Sequence, residues 1–148
     1  PKASAEQKES FGTCLTETLA EDCNFELVKT VHEHVSELVN EHKIAKEEEP
    51  LIITKSTFKS VLESSGVSDE KVRHFEEKFE EEFGQNAKVS PDSIVDTKKF
   101  EVNTPYVSIK IDPERSDLIS TQIINGSRFI LIRANDGIEI NGVNVDIT

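Results

Sequence analysis

Three histidines on one predicted helix are the residues whose type and spacing come closest to a metal site. His32, His34 and His42 share a segment of helical periodicity. Side chains two positions apart point to different faces of a helix, so His32 and His34 do not converge, and His42 lies two turns beyond His34. The His-Glu-x-x-His and Glu-x-x-His patterns that bind zinc are both missing. We therefore predict no metal, no cofactor and surface or helix-edge positions for these histidines.

Two cysteines are candidates for a nucleophile or for a disulfide bond. A nucleophilic Cys14 needs a nearby base and an oxyanion site, and the sequence has no recognisable loop that would supply them. Beside a helical pattern with apolar neighbours, cysteine usually behaves as a small buried hydrophobe, which fits a reducing cytoplasm. A bridge between Cys14 and Cys23 stays open, because a sequence does not define the geometry it needs. We predict no catalytic residue.

An acidic run ends a predicted amphipathic helix that places Phe75 and Phe79 on its apolar side. Its carboxylates Glu80, Glu81 and Glu82 lie in the last turn, where each meets the negative end of the helix dipole at a cost of roughly 0.3–1 kcal/mol. Solvation of an exposed helix face is the favoured interpretation, since water and salt screen such charges. A basic partner surface is the alternative, so these glutamates are kept as candidate interaction residues.

The overall charge restricts the classes of partner. The 148 residues include 17 basic and 29 acidic side chains, which gives a net charge of −12. A field of that sign repels phosphate backbones and anionic lipid surfaces. No stretch approaches the roughly 20 apolar residues that a membrane span needs. We expect no direct nucleic-acid binding and no membrane insertion, whereas a protein partner or a homo-oligomer remains possible.

The first two thirds of the chain have the pattern of amphipathic helices. Apolar residues recur there at three- and four-residue spacing, which is typical of helices with one buried face. Asn24 and Ser68 are residue types that cap helix N-termini, and Gly66 and Gly84 are typical of helix ends. The sequence predicts about four to five helices within residues 1–96.

The last third changes to a period of two. Val107, Ile109 and Ile111 alternate with polar or aromatic residues, which is the pattern of a half-buried strand. Asn125-Gly126 is a strong signal for a two-residue hairpin turn. We predict an antiparallel β-meander of four to five strands over residues 97–148, packed against the helices in one α+β domain.

The Asn125-Gly126 turn fixes a register and therefore the two faces of its hairpin. Residues that are directly opposite share a face, and the better core face, expected to lie under the helices, gathers Ile119, Thr121, Ile123, Ile130 and Ile132. The apolar residues of the opposite face are Leu118, Ile124, Phe129 and Leu131. This second face is too apolar to be simply hydrated, so either a helix or another polypeptide must cover it.

Several segments resemble a known family. They include residues 111–118, residues 129–134, Asp136-Gly137 and Asn141-Gly142. Together they resemble the C-terminal part of an uncharacterised bacterial family, mainly from clostridia and related Firmicutes, known only as a domain of unknown function. The resemblance implies a cytoplasmic bacterial protein and supplies no activity or catalytic residue. Because the chain opens at Pro1 and has no methionine, we expect it to be a piece of a longer protein or a processed chain.

These observations favour a non-enzymatic protein-interaction or scaffold module over two alternatives. One alternative is part of an enzyme whose active site lies mainly in a missing N-terminal region or between that region and this chain. The other is a nucleoid-associated or regulatory protein whose basic surface lies outside this chain. A deep polar pocket with convergent ionisable groups would favour the enzyme. A flat apolar patch around Leu118, Phe129 and Leu131 would favour a surface for binding or self-association.

Overall fold

The computed structural model describes residues 4–148, in which helices precede antiparallel strands. The four α-helices of this range are α1 (Ser4–Leu19), α2 (Phe25–Ala45), α3 (Lys59–Ser64) and α4 (Asp69–Phe83). Short 3-10 turns lie at Ala20–Asp22, Lys55–Phe58, Pro91–Ser93 and Pro113–Leu118. The strands are β1 (Phe100–Asn103), β2 (Ser108–Ile111), β3 (Ile119–Ile124), β4 (Ser127–Ile132), β5 (Ile138–Ile140) and β6 (Val143–Val145). The predicted α+β class is confirmed.

The helices begin and end at residues suited to those positions. The side chain of Asn24 accepts a hydrogen bond from the Leu27 amide at 2.9 Å and caps α2, and Ser68 caps α4 in the same way. Gly66 and Gly84 follow α3 and α4 with φ of 85° and 105°, a backbone conformation that side chains with a Cβ rarely adopt. The predicted N-cap residues and helix-ending glycines therefore occupy those positions in the structure.

The core of the helical part is built around a chain of phenylalanine rings. Phe11 of α1 lies 5.1 Å from the ring of Phe58, and Phe58 lies 5.9 Å from Phe75 on α4. Phe75 also contacts Phe79, and all four rings are buried. Such tilted and edge-to-face pairs add to the free energy of burying apolar surface. The helices therefore cover most of their apolar stripes with one another.

The strands form three separate antiparallel hairpins, β1–β2, β3–β4 and β5–β6. There are six strands where four to five were predicted, and the 3-10 turn Pro113–Leu118 separates the first hairpin from the second. The register predicted from the Asn125-Gly126 turn is confirmed, with Ile124 opposite Ser127. Asn125 and Gly126 have φ of 50° and 82°, as the tight hairpin turn requires.

Polar contacts from α2 connect the helical part to the strands. The Lys29 ammonium donates to the carbonyl oxygen of Ile119 at 3.0 Å, where β3 begins. The buried Ser116 hydroxyl donates to the Glu33 carboxylate at 2.6 Å. The ring of His32 packs edge-to-face against Phe100 at 5.1 Å. One helix thus holds the start of β1 and the start of β3.

The assignment of a core face on the β3–β4 hairpin was wrong. Ile119 is buried and Ile130 is half-buried, but Thr121, Ile123 and Ile132 are exposed. The physical reason is that Lys29 of α2 holds β3 at its first residue, Ile119, while the helices bury their apolar faces against each other. Alternation identified which residues share a face, yet it did not establish that the helices would cover that face.

Candidate interaction surface

The second face of the β3–β4 hairpin carries the apolar side chains that the sequence analysis expected a helix or another polypeptide to cover. Leu118 is half-buried, whereas Ile124, Phe129 and Leu131 remain 39–44% exposed. They belong to β3, β4 and the turn that leads into them, so the hairpin register brings them onto one side. Within residues 4–148 nothing covers Ile124, Phe129 and Leu131 completely. It is an apolar surface open to solvent.

The opposite face is also partly open, although Ile119 is buried and Ile130 is half-buried. Ile123 is 71% exposed and Ile132 is 51% exposed, although both were expected in the core. Lone exposed apolar residues are ordinary, but a hairpin with uncovered apolar residues on both faces departs from the pattern of a sheet with one dry and one hydrated side. We define the hairpin surface as both faces of β3 and β4 together with Leu118.

The backbone edge of β4 in this hairpin is open as well. Arg133 donates its amide to the carbonyl oxygen of Leu118 at 2.9 Å, which makes Leu118 and Arg133 a hydrogen-bonded pair. Because hydrogen-bonded and non-hydrogen-bonded pairs alternate, the amide and carbonyl groups of Arg128, Ile130 and Ile132 point away from β3. In the described part of the chain no other strand pairs with this edge of β4.

The hairpin surface differs in charge from the rest of the chain. Residues 118–135 form the longest stretch without Asp or Glu and carry the two arginines Arg128 and Arg133. At its base, Asp117 accepts from Arg115 at 3.1 Å and from Arg133 at 3.0 Å. The Arg115 guanidinium holds the pKa of Asp117 below its ordinary value. A weakly basic, apolar hairpin therefore projects from a strongly acidic protein.

The three candidate glutamates at the end of α4 are paired within the chain. Glu80 forms an ion pair with Lys55, while Glu81 and Glu82 each lie 3.5 Å from Lys78. A hydrogen bond from Lys78 to Glu17, with further attraction from Glu81, raises the pKa of Lys78. These lysines offset the unfavourable position of the glutamates near the helix C-terminus. Their arrangement is accounted for without an external basic surface.

The histidines of α2 occupy separate environments. The Nε2–H group of His32 donates to the carbonyl oxygen of Asp96 at 2.9 Å, and that of His42 donates to the carbonyl oxygen of Glu49 at 2.6 Å. His34 is half-buried on the same helix. Among the residues that the structure describes, no group of three or more His, Cys, Asp or Glu side chains is arranged to hold a metal ion.

Both cysteines carry thiols, so the Cys14–Cys23 bridge that the sequence left open does not form. Cys14 lies in the helical core and is fully buried. Cys23 is half-buried, and its removal from water raises the pKa of its thiol. A raised pKa lowers the fraction of reactive thiolate at neutral pH. Both positions fit the prediction of cysteines that act as small apolar residues.

A wide cavity of ≈ 920 Å³ lies between α2 and the loops around β1 and β2. Its lining mixes acidic and basic groups, among them Glu33, Asp92 and Lys98. The Ser116–Glu33 hydrogen bond crosses its wall, and Ser36 keeps a buried hydroxyl with no hydrogen-bond partner among the described residues. Sequence reasoning missed this cavity because its walls come from segments about 50 to 80 positions apart in sequence. Charges of mixed sign are typical of a solvated groove.

Comparison with known proteins assigns the chain to a family but does not assign it an activity. A family model described as "Domain of unknown function (DUF4317)" matches residues 1–143. No curated protein matches the chain, and no solved structure does. Within residues 4–148, no helix is long and apolar enough to cross a membrane.

Proposed function

We propose that this chain, which belongs to the family described as Domain of unknown function (DUF4317), is a non-enzymatic protein-interaction or scaffold module. The partner binds the hairpin surface. The observation that carries this proposal is the exposure of apolar side chains on both faces of one hairpin, with Ile123 and Phe129 as examples. Contiguous exposed apolar area on a protein typically marks a site of interaction with another protein.

The energetics of the hairpin support the same proposal. A two-stranded hairpin is marginally stable in water unless a further strand or a helix packs against it. Apolar area that a partner removes from water contributes about 25 cal/mol per Å² before the costs of association are subtracted. Phe129 is the largest side chain of the hairpin surface, and bulky aromatic residues are enriched among those that dominate binding energy. Covering this surface would therefore stabilise both the complex and the hairpin.

The glutamates at the end of α4 take a secondary place in the proposal. Glu80, Glu81 and Glu82 already have lysine partners within the chain, so a basic ligand would have to compete with Lys55 and Lys78. These ion pairs are partly exposed and solvent screens them, so a basic ligand could compete for the glutamates, but such competition gives no specificity by itself. The hairpin surface is the main site in our proposal.

We further propose that the module acts in the reducing cytoplasm of a bacterium. The thiol state of Cys14 and Cys23 supports a reducing compartment, since disulfide bonds persist in oxidising ones. The bacterial host follows from the resemblance of the C-terminal segments. Subcellular fractionation of the native host would place the protein in the soluble cytoplasmic fraction under this proposal.

A double substitution of the hairpin tests the proposed function. Phe129→Ser with Leu131→Ser removes the two apolar side chains that β4 contributes to one face and leaves the turn intact. Purification of the tagged protein from its native host should recover partners with the original chain and at least about tenfold less of them with the double variant. The matched control is Glu63→Ser, an exposed position on α3. Equal recovery with all three proteins would contradict the proposal.

A further inference from the structure

The outward-pointing backbone groups along the edge of β4 are spaced so that a second, antiparallel β4 can pair with them. Its outward-pointing backbone groups belong to Arg128, Ile130 and Ile132, and Ile130 lies at the centre of this set. An antiparallel strand that pairs with this edge must place its own outward residues opposite them. A second β4, related by a two-fold axis at Ile130, places each of its three outward residues opposite an outward residue of the first strand.

We propose that the partner at this edge is a second copy of the chain, paired β4 to β4 about a two-fold axis at Ile130. This inference rests on the proposed function and names a partner for the edge of the same hairpin. Ile130 then faces Ile130 of the second copy, Arg128 faces Ile132, and Phe129 faces Leu131. The pairing makes about six backbone hydrogen bonds and joins the two hairpins into one four-stranded antiparallel sheet.

Other registers of the same edge fit less well. A two-fold axis at Phe129 uses only two of the three outward residues on each strand. An axis at Leu131 pairs Arg128 with Ala134, which lies beyond the end of β4. An axis at Arg128 places the two arginines directly opposite each other, and like charges in that position are destabilising. The axis at Ile130 uses all three outward residues and keeps the two Arg128 side chains apart.

The charge distribution also favours a second copy at this edge. Two chains of net charge −12 repel one another over most of their surfaces. Residues 118–135 contain no acidic side chain, so contact through this segment brings the acidic helices least close together. Strand edges that avoid pairing usually carry charged residues or proline, and β4 has one arginine among six residues.

The edge of β3 is a poorer site for the same contact. Its first outward group, the carbonyl oxygen of Ile119, already accepts a hydrogen bond from Lys29. Helix α2 lies next to this end of β3, so an incoming strand would meet the helix. Within residues 4–148 the outward backbone groups of β4 accept no such hydrogen bond, and the β5–β6 hairpin borders this edge at Ile132.

The molar mass of the full 148-residue chain tests this proposal. Sedimentation equilibrium should give twice the 16.6 kDa of one chain, and Ile130→Lys should return the mass to 16.6 kDa because two lysines would meet at the axis. The matched control is Thr121→Lys, since Thr121 is the cross-strand neighbour of Ile130 and lies on the β3 edge. Thr121→Lys should stay dimeric. A monomeric original chain, or loss of the dimer in both variants alike, would overturn the proposal.

A covalent trap keeps the proposal testable if Ile130→Lys fails to fold. Opposed residues of a hydrogen-bonded antiparallel pair have Cα atoms about 5.5 Å apart, within the roughly 4.4–6.8 Å of disulfides. Oxidised Ile130→Cys should therefore form a disulfide-linked dimer, and Thr121→Cys should form at least about tenfold less. Equal yields would overturn the pairing. If the chain is monomeric while Phe129→Ser with Leu131→Ser still loses other partners in the host, the second copy fails and the proposed function stands.

Discussion

Asp117 and Arg133 illustrate how single residues define the base of the hairpin. The side chain of Arg133 forms an ion pair with Asp117, and its amide donates to the carbonyl oxygen of Leu118. One residue therefore joins the segment that enters β3 to the segment that leaves β4. Arg115 binds the same carboxylate from the preceding 3-10 turn. These contacts fix where the hairpin leaves the helical part, and hence where its apolar residues are presented.

The acid sensitivity of this contact can be measured. Because the pKa of Asp117 is lowered by Arg115, its ionised form stabilises the fold above about pH 4, and this contribution is lost as the pH falls through the lowered pKa. We expect Asp117→Asn to melt at a lower temperature than the original chain near neutral pH, with a difference that disappears in acid. Asp146→Asn, at another exposed position, is the control. A constant difference across the pH range would argue against the ion pair.

At the scale of elements, local patterns predicted the hairpin better than its surroundings. The Asn125-Gly126 turn, the register of β3 with β4 and the caps Asn24 and Ser68 all follow from short-range chemistry. The covering of Ile123 and Ile132 depends on where α2 lies, and that position is determined by contacts between segments far apart in sequence. Alternation in a strand carries no information about those contacts.

The two kinds of phenylalanine should differ in their effect on stability. Phe75 on α4 is fully buried among other rings, so we expect Phe75→Ala to lower the free energy of unfolding by about 3–5 kcal/mol. Phe129 on β4 is 44% exposed, and Phe129→Ala should cost only about 1 kcal/mol in the isolated chain. Denaturant unfolding followed by circular dichroism provides both values. A larger loss for Phe129→Ala in the monomer would mean that the hairpin is already covered within one chain.

At the scale of the whole molecule, the acidic helical part and the weakly basic hairpin differ in the sign of their charge and in the exposure of their apolar side chains. The buried apolar cluster lies within residues 11–95, and the exposed apolar side chains concentrate in the hairpins that follow. The contacts of Lys29 and Glu33 with Ile119 and Ser116 hold these two parts together through α2. We propose that residues 1–96 and 97–148 form one domain, in which the helices carry the stability and the hairpin surface carries the binding.

The measurement that tests this account most directly is photo-crosslinking in the native host. A photoreactive phenylalanine analogue at position 129 would lie in the hairpin surface, and one at position 63 would lie on the exposed side of α3 as the control. The account predicts discrete protein adducts from position 129, including a dimer of this chain, and none of comparable yield from position 63. Absence of adducts from position 129, or equal adducts from both positions, would contradict it.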